Sequence, residues 1–252
     1  MKRTLIASVL AVLVAAPALG WGDDCDHTAE RDARIDAEGA GRLVVEARAG
    51  SLTLVGRPDA DAVVARGTAC SSRRSTLDDI QLTTRRRGDT LVLEVRIPDD
   101  AGWRSGSARL DLDVEVPAGL HVVVDDTSGS VEIEGVASLE IEDGSGSIEV
   151  TRVAGRVQIR DGSGEIDLRD AGGPVDIRDG SGSITVADIG GDVELTDGSG
   201  SIDVRDVRGS VRVRSDGSGS IRVVRVDGDF VVESDGSGGV SFDRIAGRVS
   251  VP

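Results

Sequence analysis

What this chain can fold into is set by one short turn, DGSGS, that returns at a nearly fixed interval. Copies begin at Asp143, Asp161, Asp179, Asp197, Asp216 and Asp235, with Glu165 or Gly239 replacing the last Ser in two of them. The second glycines, Gly146, Gly164, Gly182, Gly200, Gly219 and Gly238, are separated by 18, 18, 18, 19 and 19 residues. A weaker copy, TSGS with Gly129, lies 17 residues upstream of Gly146. A fixed period of this length marks a repeat architecture in which no unit can bury its apolar face alone.

Between the glycines the apolar residues alternate with polar ones. Ile148 and Val150 are followed by a lone Val153, then by Val157 and Ile159; Ile184, Val186, Ile189, Val193 and Leu195 repeat the pattern. Alternation is the period of a strand. Shorter breaks such as VAGR, AGGP and IGGD divide each unit, which therefore reads as strand, turn, strand, turn. Equal register makes each strand run parallel to its copy in the next coil, about 4.8 Å away. The predicted fold is all-β: a single-stranded parallel β-helix or solenoid with about 18 residues per coil. A left-handed hexapeptide helix would need an apolar residue every six positions. The observed pattern instead favours a flattened coil of the right-handed sense preferred by parallel crossovers.

The turn itself admits three chemistries. Stacking places Asp143, Asp161, Asp179, Asp197, Asp216 and Asp235 in one column, which as a row of carboxylates is a candidate calcium site. Nonapeptide calcium rolls, however, place Asp two positions after the last Gly, and here Asp precedes the Gly. Phosphate cradling lacks a following helix and any Lys beyond Lys2. The structural reading needs only an Asx turn, in which each Asp accepts from the amides that follow it, and Gly where the backbone requires positive φ. That reading is preferred.

Around the repeats, residues 1–20 read as a cleaved export signal, with Lys2 and Arg3 ahead of an apolar run and Ala18 and Gly20 before a cut at Trp21. Residues 21–41 form an N-terminal segment pinned by a possible disulfide between Cys25 and Cys70, the pairing expected of an isolated cysteine pair in an exported protein. Residues 42–125 keep strand alternation but lose the period, as degenerate β coils or a cap would; residues 126–252 are the regular solenoid. The chain carries −16, and about −18 once Lys2 and Arg3 leave, a charge that repels nucleic acid and anionic membrane surfaces alike. No transmembrane segment is expected in the mature chain. The final coil ends at Pro252 with an unpaired edge, a possible route to self-association.

VEARAGSLTLVG, LDVEVPAGLHVVVDDTSGSVEIEGV and the serial SGSIDV units resemble the bacterial β-strand-repeat family whose members are labelled candidate adhesins. The resemblance covers about residues 40–252 and implies an exported parallel β-solenoid with no assigned catalytic residues.

Catalytic alternatives are thin. His27 and His121 have no Cys or His at metal spacing, and no G-x-S-x-G elbow is present. Glu149, Asp167 and Asp203, interleaved with Arg169 and Arg205, could serve a carbohydrate-active enzyme on a β-helix; they read more simply as a salt-bridged face. A sugar cleft would want aromatic platforms, and the candidates are Trp21, Trp103, Phe230 and Phe242, the last two at inward, core positions. Arg85, Arg86 and Arg87 form the one basic cluster, a charged turn or a dock for an acidic envelope polymer. The expected protein is thus a non-catalytic envelope or secreted binding or structural protein, periplasmic or at the cell surface. No cofactor is expected, and its ligand is unknown.

Overall fold

Each coil folds as it does because its β-branched residues alternate with charged ones, so every second side chain can leave water. The structure, a computed structural model, describes residues 25–98 and 107–252. The expected export signal, Trp21 and Trp103 lie outside the described residues.

Two sheets of 11 strands face each other. In the regular region, one sheet takes β9 (Val131–Glu134), β11 (Ile148–Val153), β13 (Ile166–Ala171), β15 (Ile184–Ile189), β17 (Ile202–Val207), β19 (Gly219–Val226) and β21 (Gly238–Ile245). The other takes β8 (His121–Ser128), β10 (Ser138–Asp143), β12 (Val157–Asp161), β14 (Val175–Asp179), β16 (Val193–Asp197), β18 (Val211–Asp216), β20 (Phe230–Val232) and β22 (Val249–Ser250). Every neighbour in this region is parallel and one coil away, so like stacks on like: Ile148, Ile166, Ile184, Ile202 and Ile221 stand in register. The solenoid predicted from the period is the fold.

The lone aliphatic of each unit belongs to the first strand. In β11, Arg152 adopts φ 56° and is skipped in the pairing with β13, so Val153 turns inward although it is an odd number of residues from Val150. Asp170, Asp188, Asp206, Arg225 and Arg244 repeat this bulge with φ between 55° and 61°. A left-handed residue in every coil bends the strand and shifts its face by one position. The step to 19 residues is absorbed by a bulge in the other sheet, with no left-handed residue: Leu195 pairs with Val213 and Thr196 with Ser215, leaving Arg214 as the extra residue. Asp197 and Asp216 consequently stay aligned.

The N-terminal part is not a simple run of early coils. It contains β1 (His27–Asp36), β2 (Arg42–Ala49), β3 (Leu52–Arg57), β4 (Ala62–Ser71), α1 (Arg74–Asp79), β5 (Gln81–Arg87), β6 (Thr90–Arg96) and β7 (Ala108–Pro117). The coil formed by β2 and β3 is sandwiched between β6/β7 on one side and β8/β9 on the other, so coils stack out of chain order. Beyond them β5 pairs antiparallel with β6, and β4 and β1 continue antiparallel from β7. The short helix was not foreseen. Leu77 and Ile80 are buried there, and Arg31 of β1 donates to the Ile80 and Leu77 carbonyls at 2.8 and 2.9 Å, satisfying groups a helix end leaves open. Cys25 and Cys70 form a disulfide that fastens the start of β1 to the end of β4.

The core is a column of Val, Ile and Leu closed at its far end by Phe230, which is fully buried. Phe242 departs from expectation. It holds an inward position in register with Val223 but is 48 % exposed, because β21 is the sheet edge and no coil covers it. Its ring rests on Phe230 with centroids 6.0 Å apart.

Candidate functional site

The DGSG turns supply the most ordered chemistry in the molecule. In four consecutive coils, the amides of Ser145, Ser163, Ser181 and Ser199 donate to Oδ1 of Asp143, Asp161, Asp179 and Asp197 at 3.1–3.2 Å. This is the expected Asx turn. The glycines are required by the stack as much as by the turn. Gly182 has φ 143°, and a Cβ there would lie 1.6 Å from the carbonyl oxygen of Gly164 in the coil before. The turn amides also bridge coils: Gly180 donates to the Asp161 carbonyl at 3.1 Å and Gly182 to the Ser199 carbonyl at 2.8 Å. With its Gly and Ser amides taken in this way, the turn has none of them to offer a phosphate.

The carboxylates point inward. Asp143, Asp161, Asp179, Asp197 and Asp216 are only 2–8 % exposed, and Asp126, at 5 %, is a further member that the sequence reading passed over. In parallel pairings the column is continuous, Asp143 to Asp161 to Asp179 to Asp197 to Asp216, and an isolated bridge extends it to Asp235. Burial, followed by the charge of Asp143, pushes the Asp126 carboxyl up to about 7. Burial likewise raises Asp161 to about 6, opposed in part by the Ser163 amide, while Asp197 reaches about 6 through burial and the neighbouring Asp179. Asp143, Asp179 and Asp216 are also raised, chiefly by burial. Among the described residues no group of three or more His, Cys, Asp and Glu is placed to hold a metal ion. The aspartates are spaced one per coil, and a calcium ion wants 6–8 oxygens around a single point.

On the opposite corner of the coils the bulge residues line a groove of about 830 Å³. Asp170, Asp188 and Asp206 make its N-terminal end acidic, with Arg208, Arg225 and Arg244 toward the C-terminal end. Arg225 closes on Asp206 with a two-point ion pair, while Asp170 and Asp188 are exposed to solvent.

The other sequence candidates fall into structural roles. Glu149, Asp167 and Asp203 stand in one outward row; Arg169 pairs with Asp167, and Arg205 and Arg222 with Asp203 at 3.6 and 3.7 Å. Arg85 pairs with Glu94 and Glu46, and Arg86 donates to the Glu38 and Gly88 carbonyls, so the basic cluster tightens the cap. His121 Nδ1 lies 2.7 Å from Ser138 Oγ, and burial pushes its imidazole down. His27 opens β1, away from it in the fold. The structure thus brings the turn aspartates together and does not bring the histidines, Arg85–Arg87 and the outward acids into one constellation.

Solved structures similar to this chain include a candidate lipid-binding protein from Parabacteroides distasonis, 16% identical, with a TM-score of 0.49 over 90% of this chain and 98% of that one. A candidate adhesin from Bacteroides fragilis is 10% identical, with a TM-score of 0.38 over 90% and 98%. A candidate cell adhesion protein from Clostridium sporogenes is 10% identical, with a TM-score of 0.32 over 89% and 99%. No curated protein matches the chain. The model of the family described as Toastrack DUF4097 matches residues 40–233, spanning the β2/β3 coil through β20, and the chain belongs to that family.

Proposed function

We propose that this is a non-catalytic, exported protein of the cell envelope or its surroundings, whose stacked coils act as a rigid scaffold presenting an acidic, ion-paired surface to a binding partner. The observation that carries the reading is the way outward charges are tied to one another along the strands and between coils: Arg160 to Glu142 and Arg214 to Glu194, in addition to the Asp167 and Asp203 row. Exposed pairs of this kind add little stability individually. Laddered, they make a regular charged face. The Cys25–Cys70 disulfide supports an oxidising compartment. The groove along Asp170, Asp188 and Asp206 crosses successive coils and suits an elongated ligand laid along the solenoid axis. The uncovered end at Phe242, Val249 and Val251 is a surface for self-association.

Location is the test. An epitope tag placed between residues 99 and 107 is followed through cell fractionation and through protease treatment of intact cells, with a periplasmic marker as control. The expected result is a mature chain outside the cytoplasm, beginning at Trp21. A full-length chain retained in the cytoplasm overturns the reading. Cleavage of the tag on intact cells assigns the protein to the outer surface and favours adhesion; survival until the outer barrier is opened favours a periplasmic scaffold. Robust turnover of any polysaccharide, read as reducing ends or unsaturated products, would overturn the non-catalytic assignment.

A further inference from the structure

The aspartate file contains something an Asx turn does not explain. Each of Asp143, Asp161, Asp179 and Asp197 uses one carboxylate oxygen for the turn, and its other oxygen, Oδ2, is buried without a hydrogen-bond partner. Both oxygens of Asp126 and of Asp216 are in that state, and one oxygen of Asp235. An ionised carboxylate left this way is among the least favourable groups a protein can bury.

The amides of each aspartate's own turn compensate only in part, and no cation faces the file among the described residues. Along it, each aspartate meets the aspartates of the coils before and after, with Asp125 beside Asp126 at one end and Asp235 at the other. The inward residues that follow the turn on the opposite sheet are Val131, Ile148, Ile166, Ile184, Ile202 and Ile221, all aliphatic and buried. Arg48 of β2 stands in backbone register with Asp126, but no hydrogen bond from it reaches that carboxylate.

A protein-supplied cation is therefore missing, and the orphaned oxygens are too enclosed for a hydrated one. A proton fits. Protonation removes the charge, so the buried oxygen no longer carries the cost of an unsolvated anion, and it ends the repulsion from the carboxylates of the adjacent coils, about 4.8 Å along the stack. We propose that the file Asp126–Asp143–Asp161–Asp179–Asp197–Asp216 is a proton-binding site, in which buried carboxyls take protons from solvent at mildly acidic pH and so relieve the charge repulsion between neighbouring coils, and the solenoid gains stability as pH falls.

All six carboxyls are raised, chiefly by burial. Asp126 reaches about 7, and Asp161 and Asp197 about 6. Neighbours that repel one another along a stack titrate as a coupled set. These groups bind protons more tightly folded than unfolded, so the stability they contribute is fully present below about pH 4 and is lost as pH rises through about 6–7. Exposed, Arg-paired carboxylates such as Glu194 and Asp206 are shifted downward and act in the opposite direction, but in the window below their ordinary values.

The experiment counts protons. The full oxidised chain is unfolded with urea at pH 5.5 in weakly buffered solution containing a pH indicator. The expected release is about two to three protons per chain. His121, pushed down by burial, works against this by taking up a fraction of one on unfolding, and H121Q removes that contribution. The variant D161N/D197N keeps an Asx acceptor and removes two of the titrating carboxyls. Its release falls to about one proton, and its urea midpoint changes less between pH 5 and 7.5 than the parent's. If it fails to fold, the wild-type count decides. No release at pH 5.5, or a wild-type midpoint that rises from pH 5 to 7.5, overturns the proposal. So does a release at pH 5.5 that disappears in millimolar calcium, which would assign the file to a cation instead.

Discussion

Gly182→Val unfolds the middle of the solenoid. The Cβ of any side chain at this position lies 1.6 Å from the Gly164 carbonyl oxygen and 2.6 Å from its carbon, both backbone atoms of the adjacent coil that cannot rotate aside. The φ of 143° is in addition a conformation that L residues rarely adopt. Backbone strain alone is worth about 1–3 kcal/mol. Relieving the clash requires the two coils to separate, which breaks the ladder that runs from Gly164 to Ser181 and from Ile166 to Ser183. In a linear repeat each coil is stabilised by its neighbours, so a break in the middle removes support from both sides. The expected loss exceeds about 4 kcal/mol, at the exceptional end for a single substitution. Urea unfolding followed by circular dichroism measures it. Gly239→Ala is the control: an added Cβ there meets nothing within 4 Å, and its unfolding curve should overlay the parent's.

Cys70→Ser should be the next most damaging change. Cys25 and Cys70 are 45 residues apart, and closing a loop of that length constrains the unfolded chain by about 4 kcal/mol in the chain-entropy picture. The native side of the balance points the same way. β1 forms its ladder with β4, and none of its ten residues is fully buried; beyond the ladder it is held by the half-buried Ala29, Ala33 and Ile35 against the core, the Arg31 bonds to the helix and the exposed Arg34–Asp61 pair. The expected outcome is a loss of about 3–4 kcal/mol in urea unfolding. Amide exchange should accelerate first in β1 and then in β4, while β12–β17 keep the parent's protection until the transition itself. Equal acceleration throughout would mean that the cap and the solenoid unfold as one unit.

The coils, their parallel register and the core column were legible because an 18-residue period leaves a repeating sheet few alternatives. Besides the short helix α1, three features were not read, for different physical reasons. The bulge at Arg152, Asp170 and Asp188 has no residue signature: a left-handed position held by Arg in one coil and Asp in the next is imposed by stacking on the coil before, not by local preference. The inward turn of the aspartates did have a signal. Val157, Ile159 and Asp161 are i, i+2 and i+4 of one strand, as are Val122, Val124 and Asp126, and strand parity alone assigns the acid to the buried face. Reading Asp only as a turn residue hid it. The out-of-order stacking of β6 and β7 on β2 and β3 is a choice among equivalent sheet edges, each apolar on one side. Nothing local in LVLEV or RLVVE says which edge it will take.

The DGSG column joins coil to coil through its turn amides, and we read it as a structural element in place of a metal site. The most direct test of that reading is a pair of thermal melts of the oxidised full chain at pH 7.5, one in EDTA and one in millimolar calcium. Specific binding to the folded state alone would raise the midpoint in proportion to site occupancy. The account predicts midpoints that agree within about 1 °C, against the several degrees that even 1–2 kcal/mol of binding would produce in a chain of this size. A calcium-dependent rise of several degrees that is lost in D161N/D197N would contradict it, and would make the row of aspartates a cation site.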